Sequence, residues 1–235
     1  MKINASQTTA GGTLDQGLVG YWTFDGKDTN WTSQTAGTVA DRSPVGTNTG
    51  TLTGMSRSSS PTIGKIGQGL KFNGSSAYVS LGTGLDNNGE MTISAWIRTT
   101  NVSAGTRQIV ANGSSDGTQQ DYTFEINRTA RKLSTIWGNN VILTGNATLS
   151  VNTWYHAVMV RSGSSGNWAV KFYLNGNQDN SGTTAINPNA TNENTAIGRG
   201  GGWASQFFSG TLDDVRIYNR VLSASEVKQL YNMGR

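Results

Sequence analysis

The chain has 235 residues, of which 34% are hydrophobic and only 14% charged, and its formal net charge is +4. It contains no cysteine, which excludes disulfides, thiolate metal sites and thiol catalysis. The basic residues are scattered along the chain, which argues against nucleic-acid binding. No apolar run approaches the roughly 18 residues that a membrane span needs, so we expect no membrane insertion.

The first part of the chain differs in character from the rest. Residues 1–16 are polar and lack periodicity, which predicts a tail or linker, whereas residues 17–235 show no break in composition and predict one domain. The N-terminus has no apolar segment of the kind found in signal peptides. A surface that is polar but carries little charge is common in secreted β-proteins, so we expect part of a larger exported or cell-surface protein with a bacterial composition. If the protein is exported, its leader is expected to lie outside this chain.

From Leu18 onward the sequence consists of short strand-like segments separated by turn residues. The segment MTISAWIRTT alternates cleanly, with Ile93, Ala95 and Ile97 on one face. The pair Asn175-Gly176 is the strongest short hairpin signal. The runs KIGQGLKFNG and AYVSLG are also candidates for a hairpin, through residues 74–76.

One helix is predicted near the C-terminus. Ser223 is a candidate N-cap with Glu226 three residues later, Val227 and Leu230 have helical spacing, and Gly234 can end the helix. Together with roughly a dozen strands, this predicts an all-β fold: a two-sheet antiparallel β-sandwich, or jelly roll, with one short C-terminal helix.

The segment GTLDDVRIYNR predicts a closing strand that begins with two acids. Strand alternation would place Asp213 on the face of Val215 and Ile217, and Asp214 on the face of Arg216. A carboxylate at the edge of a core needs a partner, because an unpaired buried charge is costly. Asp213 therefore requires either a cation or hydrogen-bond donors.

Several segments in order resemble a known family. They are GLVGYWTFDG, DRSPVGTNTGTLTG, GKIGQGLKFNGSSAYVSL, MTISAWIR, NTWYHAVMV, KFYLNGN, TAIGRG and FSGTLDDVRIYNRVLSASEVKQLY. Together they resemble the laminin-G-like branch of the concanavalin-A-like lectin/glucanase superfamily. The resemblance implies two packed antiparallel sheets, a role in binding glycans or extracellular partners, and often one structural calcium ion.

The same resemblance implies where such an ion would lie. The ends of the first and last strands would converge on the loop that begins at Asp41, and Asp25, Asp41, Asn48 and Asp213 would hold one calcium through oxygen atoms. The alternative is that no metal is present: Asp213 accepts hydrogen bonds from backbone N–H groups, Asp214 pairs with Arg216, and Asp41 caps a turn.

Catalysis is not expected from these residues. Glycoside hydrolysis usually needs two facing carboxylates, and the Glu-x-Asp-x-x-Glu run of the sandwich glucanases is absent. Glu125 stands alone in YTFEINR, and the single histidine, His156, is interpreted as packed or hydrogen-bonded.

A ligand site is sought among aromatic residues that the strand patterns do not assign to the core. Tyr122, Trp137, Arg199 and Trp203 are predicted to bind a polysaccharide or glycoconjugate, by an aromatic platform and planar polar groups. The alternative is that these rings cover sheet edges or pack under loops.

Three functions are compatible with the sequence. The leading hypothesis is a non-catalytic glycan-binding or adhesive module, whose partners also include other surface proteins. The second is a purely structural or assembly domain of a surface protein, and the third, less favoured, is a polysaccharide-degrading enzyme of the same fold.

Overall fold

The computed structural model describes residues 13–85, 87–101, 107–113, 120–127, 129–138, 140–189, 193–200 and 206–235. Within these residues the chain forms seventeen strands, one α-helix and a short 3-10 helix, Thr13–Asp15. The helix, α1, spans Ala224–Met233. The strands are β1 Leu18–Trp22, β2 Thr29–Trp31, β3 Gly37–Val39, β4 Gly50–Thr53, β5 Pro61–Ile63, β6 Gln68–Asn73, β7 Tyr78–Gly82, β8 Met91–Thr99, β9 Arg107–Gly113, β10 Gln120–Ile126, β11 Leu133–Trp137, β12 Asn140–Thr144, β13 Tyr155–Ser164, β14 Asn167–Leu174, β15 Asn177–Thr184, β16 Thr195–Ile197 and β17 Ser209–Tyr218.

The strands form two sheets. The eight-stranded sheet has the order β15-β14-β13-β8-β17-β6-β5, and β1 also pairs with β17. The nine-stranded sheet has the order β12-β11-β10-β9-β16-β7-β4-β3-β2. Neighbouring strands in both sheets run antiparallel. The prediction of an all-β, concanavalin-A-like sandwich with one C-terminal helix is confirmed.

The main core lies between the sheets. In β8, Ile93, Ala95 and Ile97 enter this core, as their alternation predicts. Phe124 of the nine-stranded sheet stacks on Phe172 of the eight-stranded sheet, with ring centres 6.0 Å apart. Residues from both inner faces therefore interdigitate, as they do in other sandwiches.

Helix α1 covers the outer face of the eight-stranded sheet. Val227 and Leu230 pack there in a second apolar cluster, and Tyr231 stacks on Trp96 with ring centres 5.7 Å apart. The predicted capping box is confirmed: the backbone N–H of Glu226 donates to Ser223 Oγ at 3.3 Å, and that of Ser223 donates to Glu226 Oε2 at 2.8 Å. The cap fixes where the helix begins and thereby which face it buries.

The two hairpin predictions have opposite outcomes. Asn175 and Gly176, with φ of 52° and 75°, join β14 to β15 as expected. The prediction of a hairpin between β6 and β7 is wrong: β6 pairs with β5 and β17, whereas β7 pairs with β4 and β16 in the other sheet. The turn between them carries the chain across the sandwich, which local alternation cannot distinguish from a hairpin.

The predicted alternation in β17 is also wrong at its two acids. Asp214 has φ of 50°, and the register against β8 shifts between Asp213 and Arg216. This bulge inserts one residue, so Leu212 and Val215 both enter the core and Asp213 lies on the outer face. The bulge places Asp213 beside the loop between β5 and β6.

The segment before β1 is attached to the end of β17. The backbone N–H of Asn219 donates to Gly17 O at 2.9 Å, and Arg220 Nε donates to Gln16 O at 2.6 Å. Most of the predicted tail, residues 1–12, lies outside the described residues. No helix among the described residues is long and apolar enough to cross a membrane.

Candidate functional site

The outer face of the nine-stranded sheet carries an arginine beside two aromatic rings. Alternate residues of β7 enter the core, which leaves Tyr78 and Ser80 half-buried on the outer face. The guanidinium carbon of Arg199 lies 4.8 Å from the centre of the Tyr78 ring and 5.9 Å from that of Phe207. A cation over an aromatic face is attracted by the quadrupole of the ring, so the two rings hold the guanidinium in place.

Gly198 gives Arg199 its position. It follows β16 with φ of 83°, and a Cβ atom there would clash with the ring of Phe72. Its N–H donates to Ile109 O at 3.0 Å, and its carbonyl accepts from the N–H of Phe208 at 2.8 Å. Only glycine combines this conformation with such close packing, so Gly198 sets the path of the backbone into Arg199, which forms an antiparallel bridge with Phe207.

Arg199 lines an open depression of about 170 Å³. The arginine and Glu193 contribute the charged groups, whereas Ser80 and Asn194 contribute a hydroxyl and an amide. The full lining is Tyr78, Ser80, Gly113, Glu193, Asn194, Ala196, Arg199 and Gly200. Polar groups beside an aromatic ring are the means by which proteins hold sugars.

A buried polar group adjoins this depression. Gln108 Nε2 donates to Glu125 Oε2 at 2.6 Å and to Gln206 Oε1 at 2.9 Å. Burial raises the pKa of Glu125 to about 7, although the hydrogen bond from Gln108 acts in the opposite direction. Gly200 lies close to Gln206, since a Cβ on the glycine would be 2.7 Å from Gln206 Oε1. Polar side chains therefore extend from the depression through Gln206 and Gln108 to Glu125 of β10.

The four predicted ligand-binding residues have different locations. Tyr122 and Trp137 are fully buried in the main core, and neither ring has an exposed face. The prediction that these two rings bind a sugar is therefore wrong. The hydroxyl of Tyr122 donates to Leu85 O at 3.1 Å, and Trp137 packs edge to face with Trp168. Arg199 lies at the depression. Trp203 lies outside the described residues.

Two of the predicted calcium ligands lie in the loop between β3 and β4. Asp41 Oδ1 accepts the backbone N–H groups of Tyr21 and Ser43 at 3.0 and 2.8 Å, and Asp41 Oδ2 accepts that of Asn48 at 3.1 Å. Asn48 Nδ2 donates to Val19 O at 2.8 Å. This loop is thereby fastened to β1 through direct hydrogen bonds.

The other two predicted ligands contact the loop between β5 and β6. Asp213 is fully buried, and its Oδ2 accepts the backbone N–H groups of Lys65 and Ile66 at 2.7 and 2.8 Å. Asp25 Oδ1 accepts the N–H of Gln68 at 2.9 Å from the other end of the same loop. Burial raises the pKa of Asp213 to about 7, and the two N–H donors oppose this rise.

The four predicted ligands therefore do not fit a single ion. Among the residues that the structure describes, no three His, Asp or Glu side chains are grouped so that they could hold a metal. Asp213 Oδ1 is buried without a hydrogen-bond partner, but the other oxygen already accepts two backbone donors. Calcium binding as such stays a prediction.

Comparisons with known proteins agree with this architecture. A laminin-G family model, described as the concanavalin A-like lectin/glucanases superfamily, matches residues 73–228. The chain belongs to this superfamily. A comparison with curated protein sequences gave no match.

Several solved structures share the fold of this superfamily member. Domain 4 of AbnA, a GH43 extracellular arabinanase from Geobacillus stearothermophilus in complex with arabinotriose, matches with a TM-score of 0.65 and 22% identity. The match covers 91% of this chain and 98% of that one. The binding domain of Paraclostridial Mosquitocidal Protein 1 matches with a TM-score of 0.66 and 19% identity, over 94% of this chain and 53% of that one.

A third match is to part of a larger protein. Trypanosoma rangeli sialidase in complex with the inhibitor DANA matches with a TM-score of 0.61 and 17% identity, over 91% of this chain. This chain spans about a third of the sialidase, 32% of its length. At these identities the three matches establish the shared fold.

The single histidine of this concanavalin A-like domain is packed between the eight-stranded sheet and helix α1. His156 Nε2 lies 2.9 Å from Ser94 Oγ, and its ring centre is 5.1 Å from that of Trp96. Burial, with the nearby charge of Arg216, lowers the pKa of His156 to about 3. The side chain is therefore neutral at physiological pH and lies under helix α1.

Four of the residues around Arg199 were missed by the sequence analysis. Tyr78 and Ser80 could have been found from AYVSLG, because the alternation that sends Val79 inward sends both of them outward. Asn194 and Phe207 come from irregular segments next to β16 and β17. No periodicity marks such positions, and they join the site only when the two segments meet.

Proposed function

We propose that this chain is a non-catalytic glycan-binding module of an exported or cell-surface protein. The observation that carries the proposal is the Arg199 guanidinium over the ring of Tyr78, at the edge of a depression that Ser80 and Asn194 also line. The aromatic face, the hydroxyl and the amide supply the contacts that a sugar ring and its hydroxyls need.

The fold relatives support a carbohydrate ligand. Domain 4 of the arabinanase AbnA, which matches over nearly its whole length, is in complex with arabinotriose. The binding proposed for the present chain also rests on its own residues, because the identity to that domain is only 22%.

The binding proposal is tested by affinity electrophoresis against a panel that includes arabinan, galactan, xylan and polygalacturonate. We expect at least one polysaccharide to retard the protein, and Tyr78→Ala to abolish the retardation, because the variant removes the ring under Arg199. Trp31→Ala is the matched control, since it removes an aromatic ring from β2, an edge strand of the same sheet that is three strands away from β7.

The results separate the competing functions. If no polysaccharide retards the protein, the binding proposal is refuted. The alternative is then an assembly domain, and light scattering of the concentrated protein would detect its self-association. If Trp31→Ala abolishes retardation and Tyr78→Ala does not, the site has been misplaced. Release of reducing ends from a retained polysaccharide would contradict the non-catalytic part of the proposal.

A further inference from the structure

Within the part of the chain that the structure describes, Arg199 has no ion-pair partner. Among the residues that the structure describes, the ion pairs join Arg42 to Asp28, Arg161 to Asp121, Arg216 to Asp214 and Arg220 to Glu226. Arg199 is in none of them, and its Nε is buried without a hydrogen-bond acceptor.

The contrast with other arginines of this chain is informative. Arg161, Arg216 and Arg220 also lie over aromatic rings, and each of them has a carboxylate partner. Arg235, over Tyr231, is in none of these ion pairs, but it is exposed to water, whereas Arg199 is half-buried. A guanidinium that is partly removed from water and lacks a counter-charge is costly, so its retention calls for an acceptor from outside. The planar guanidinium fork matches a carboxylate in particular, through two parallel hydrogen bonds.

The rest of the depression limits how much negative charge the ligand can carry. Glu193 lines the same depression, and its backbone carbonyl accepts from Asn112 Nδ2 at 3.0 Å. A densely charged polyanion would be repelled by the Glu193 carboxylate. A ligand with one carboxylate and neighbouring hydroxyls would place the carboxylate on Arg199 and the hydroxyls near Ser80, Glu193 and Asn194.

We propose that this depression binds an acidic sugar, a uronic or sialic acid residue, whose carboxylate is held by Arg199. The inference rests on the proposed glycan-binding function and narrows it to a ligand class. Gly198 and Gly200 set the backbone around the arginine, and Tyr78 with Phe207 limits the motion of its side chain.

The test uses small ligands, because a chain of net charge +4 attracts any polyanion without specificity. Methyl galacturonoside and methyl galactoside, which differ only in one carboxylate, make one matched pair, and sialyllactose and lactose make the other; binding is measured by calorimetry at physiological salt. We expect one acidic member to bind at least about tenfold more tightly than its neutral counterpart, as a charge-assisted bidentate pair implies. The pair that shows the difference identifies the kind of acidic sugar.

Two variants assign the effect to the arginine. Arg199→Gln is expected to remove the preference for the acidic ligand, and Arg199→Lys to retain only part of it, because lysine lacks the planar fork. Arg57→Gln is the matched control: it removes the same charge from an exposed position in the connection between β4 and β5 and is expected to bind as the parent does.

Each other result overturns the inference in a recognisable way. Equal binding of the acidic and neutral members, or binding of neutral arabinan alone, would refute the acidic ligand and leave glycan binding intact. Equal loss in Arg57→Gln and Arg199→Gln would show attraction by net charge. Failure of every acidic and neutral glycan to bind would refute the proposed function as well.

Discussion

At the scale of single residues, Asp213 shows how a buried carboxylate is stabilised by the backbone. Its Oδ2 accepts two N–H groups from the loop between β5 and β6, and it reaches them because of the bulge at Asp214. Asp213, whose sequence position suggests a metal ligand, thus holds that loop in place through two hydrogen bonds.

The first prediction compares two substitutions of Asp213. Asp213→Ala leaves the N–H groups of Lys65 and Ile66 without their acceptor and is expected to lower the free energy of unfolding by at least about 2 kcal/mol. Asp213→Asn retains an acceptor oxygen and is expected to lower it much less. Urea unfolding at pH 7 measures both, and equal losses would contradict the role of the carboxylate as a hydrogen-bond acceptor.

The second prediction concerns Glu125, whose pKa is raised by burial from an ordinary value near 4.5 to about 7. Between these values the folded state binds a proton that the unfolded state has released, so this group makes the protein less stable as pH rises through that window. Glu125→Gln does not titrate and retains an acceptor for Gln108. We expect the variant to gain stability relative to the parent from pH 5 to pH 8, by up to about 3 kcal/mol.

Chemical denaturation of both proteins at several pH values checks this expectation. The comparison between variant and parent cancels the other groups that titrate, including Asp213, whose pKa is also raised, and His156, whose pKa is lowered. A difference in stability that stays constant between pH 5 and pH 8 would show that Glu125 is not buried as described.

At the scale of elements, helix α1 depends on a cap that the sequence reveals. Ser223→Ala removes the acceptor for the N–H of Glu226 and is expected to cost about 1 kcal/mol. Asn232→Ala, at an exposed position in the last turn, is the control and is expected to change stability little. Thermal unfolding followed by Trp fluorescence reports the change directly, because the helix packs on Trp96.

Elements whose signal is local were predictable, and those whose partner is distant were not. The alternation of β8, the Asn175-Gly176 turn and the capping box each depend on residues within a few positions of one another. The crossing from β6 to β7 depends on which sheet each strand joins. A turn sequence contains no information about that choice, so the hairpin prediction failed there.

The site shows the same division. Arg199 is recognisable from its glycine-rich segment, but its neighbours come from β7 and from the segment before β17. The prediction that Tyr122 binds a ligand overlooks its alternation with Phe124 and Ile126, which are core residues. That alternation is a local signal of period two, and it favours the core for all three side chains.

At the scale of the whole molecule, a buried ion pair links the two sheets. Arg161 of β13 and Asp121 of β10 lie 3.3 Å apart with both side chains fully buried, and the arginine also lies over Trp137 and Trp168. The segment before β8 also joins the pair, because Arg161 donates to the carbonyls of Asn87 and Gly89 and Asp121 accepts the N–H of Asn87.

The fourth prediction follows from that pair. Arg161→Met leaves the Asp121 carboxylate buried without its cation and is expected to lower the free energy of unfolding by about 3–5 kcal/mol. Arg57→Met, at an exposed position, is expected to change it by less than about 1 kcal/mol. Urea unfolding separates the two cases, and similar small losses would mean that the pair is solvated.

The fifth prediction concerns calcium. An ion that binds only the native state raises the melting temperature by mass action, so saturating calcium should raise Tm and EDTA should lower it. Asp41→Asn should remove the difference if the loop that holds Asp41 and Asn48 supplies the ligands. Identical melting curves with calcium and with EDTA would contradict the calcium prediction.

The pairing of β1 with β17 has a mechanical consequence. Leu18, where β1 begins, lies opposite Tyr218, where β17 ends, so the backbone enters and leaves this strand pair at the same end. A force that pulls the two chain ends apart would load these hydrogen bonds one after another instead of all at once. Before that happens it must detach α1 and the contacts of Arg220 and Asn219 with Gln16 and Gly17. Under tension the β1–β17 hydrogen bonds should therefore break one after another, and the main resistance should come from helix α1 and these few contacts.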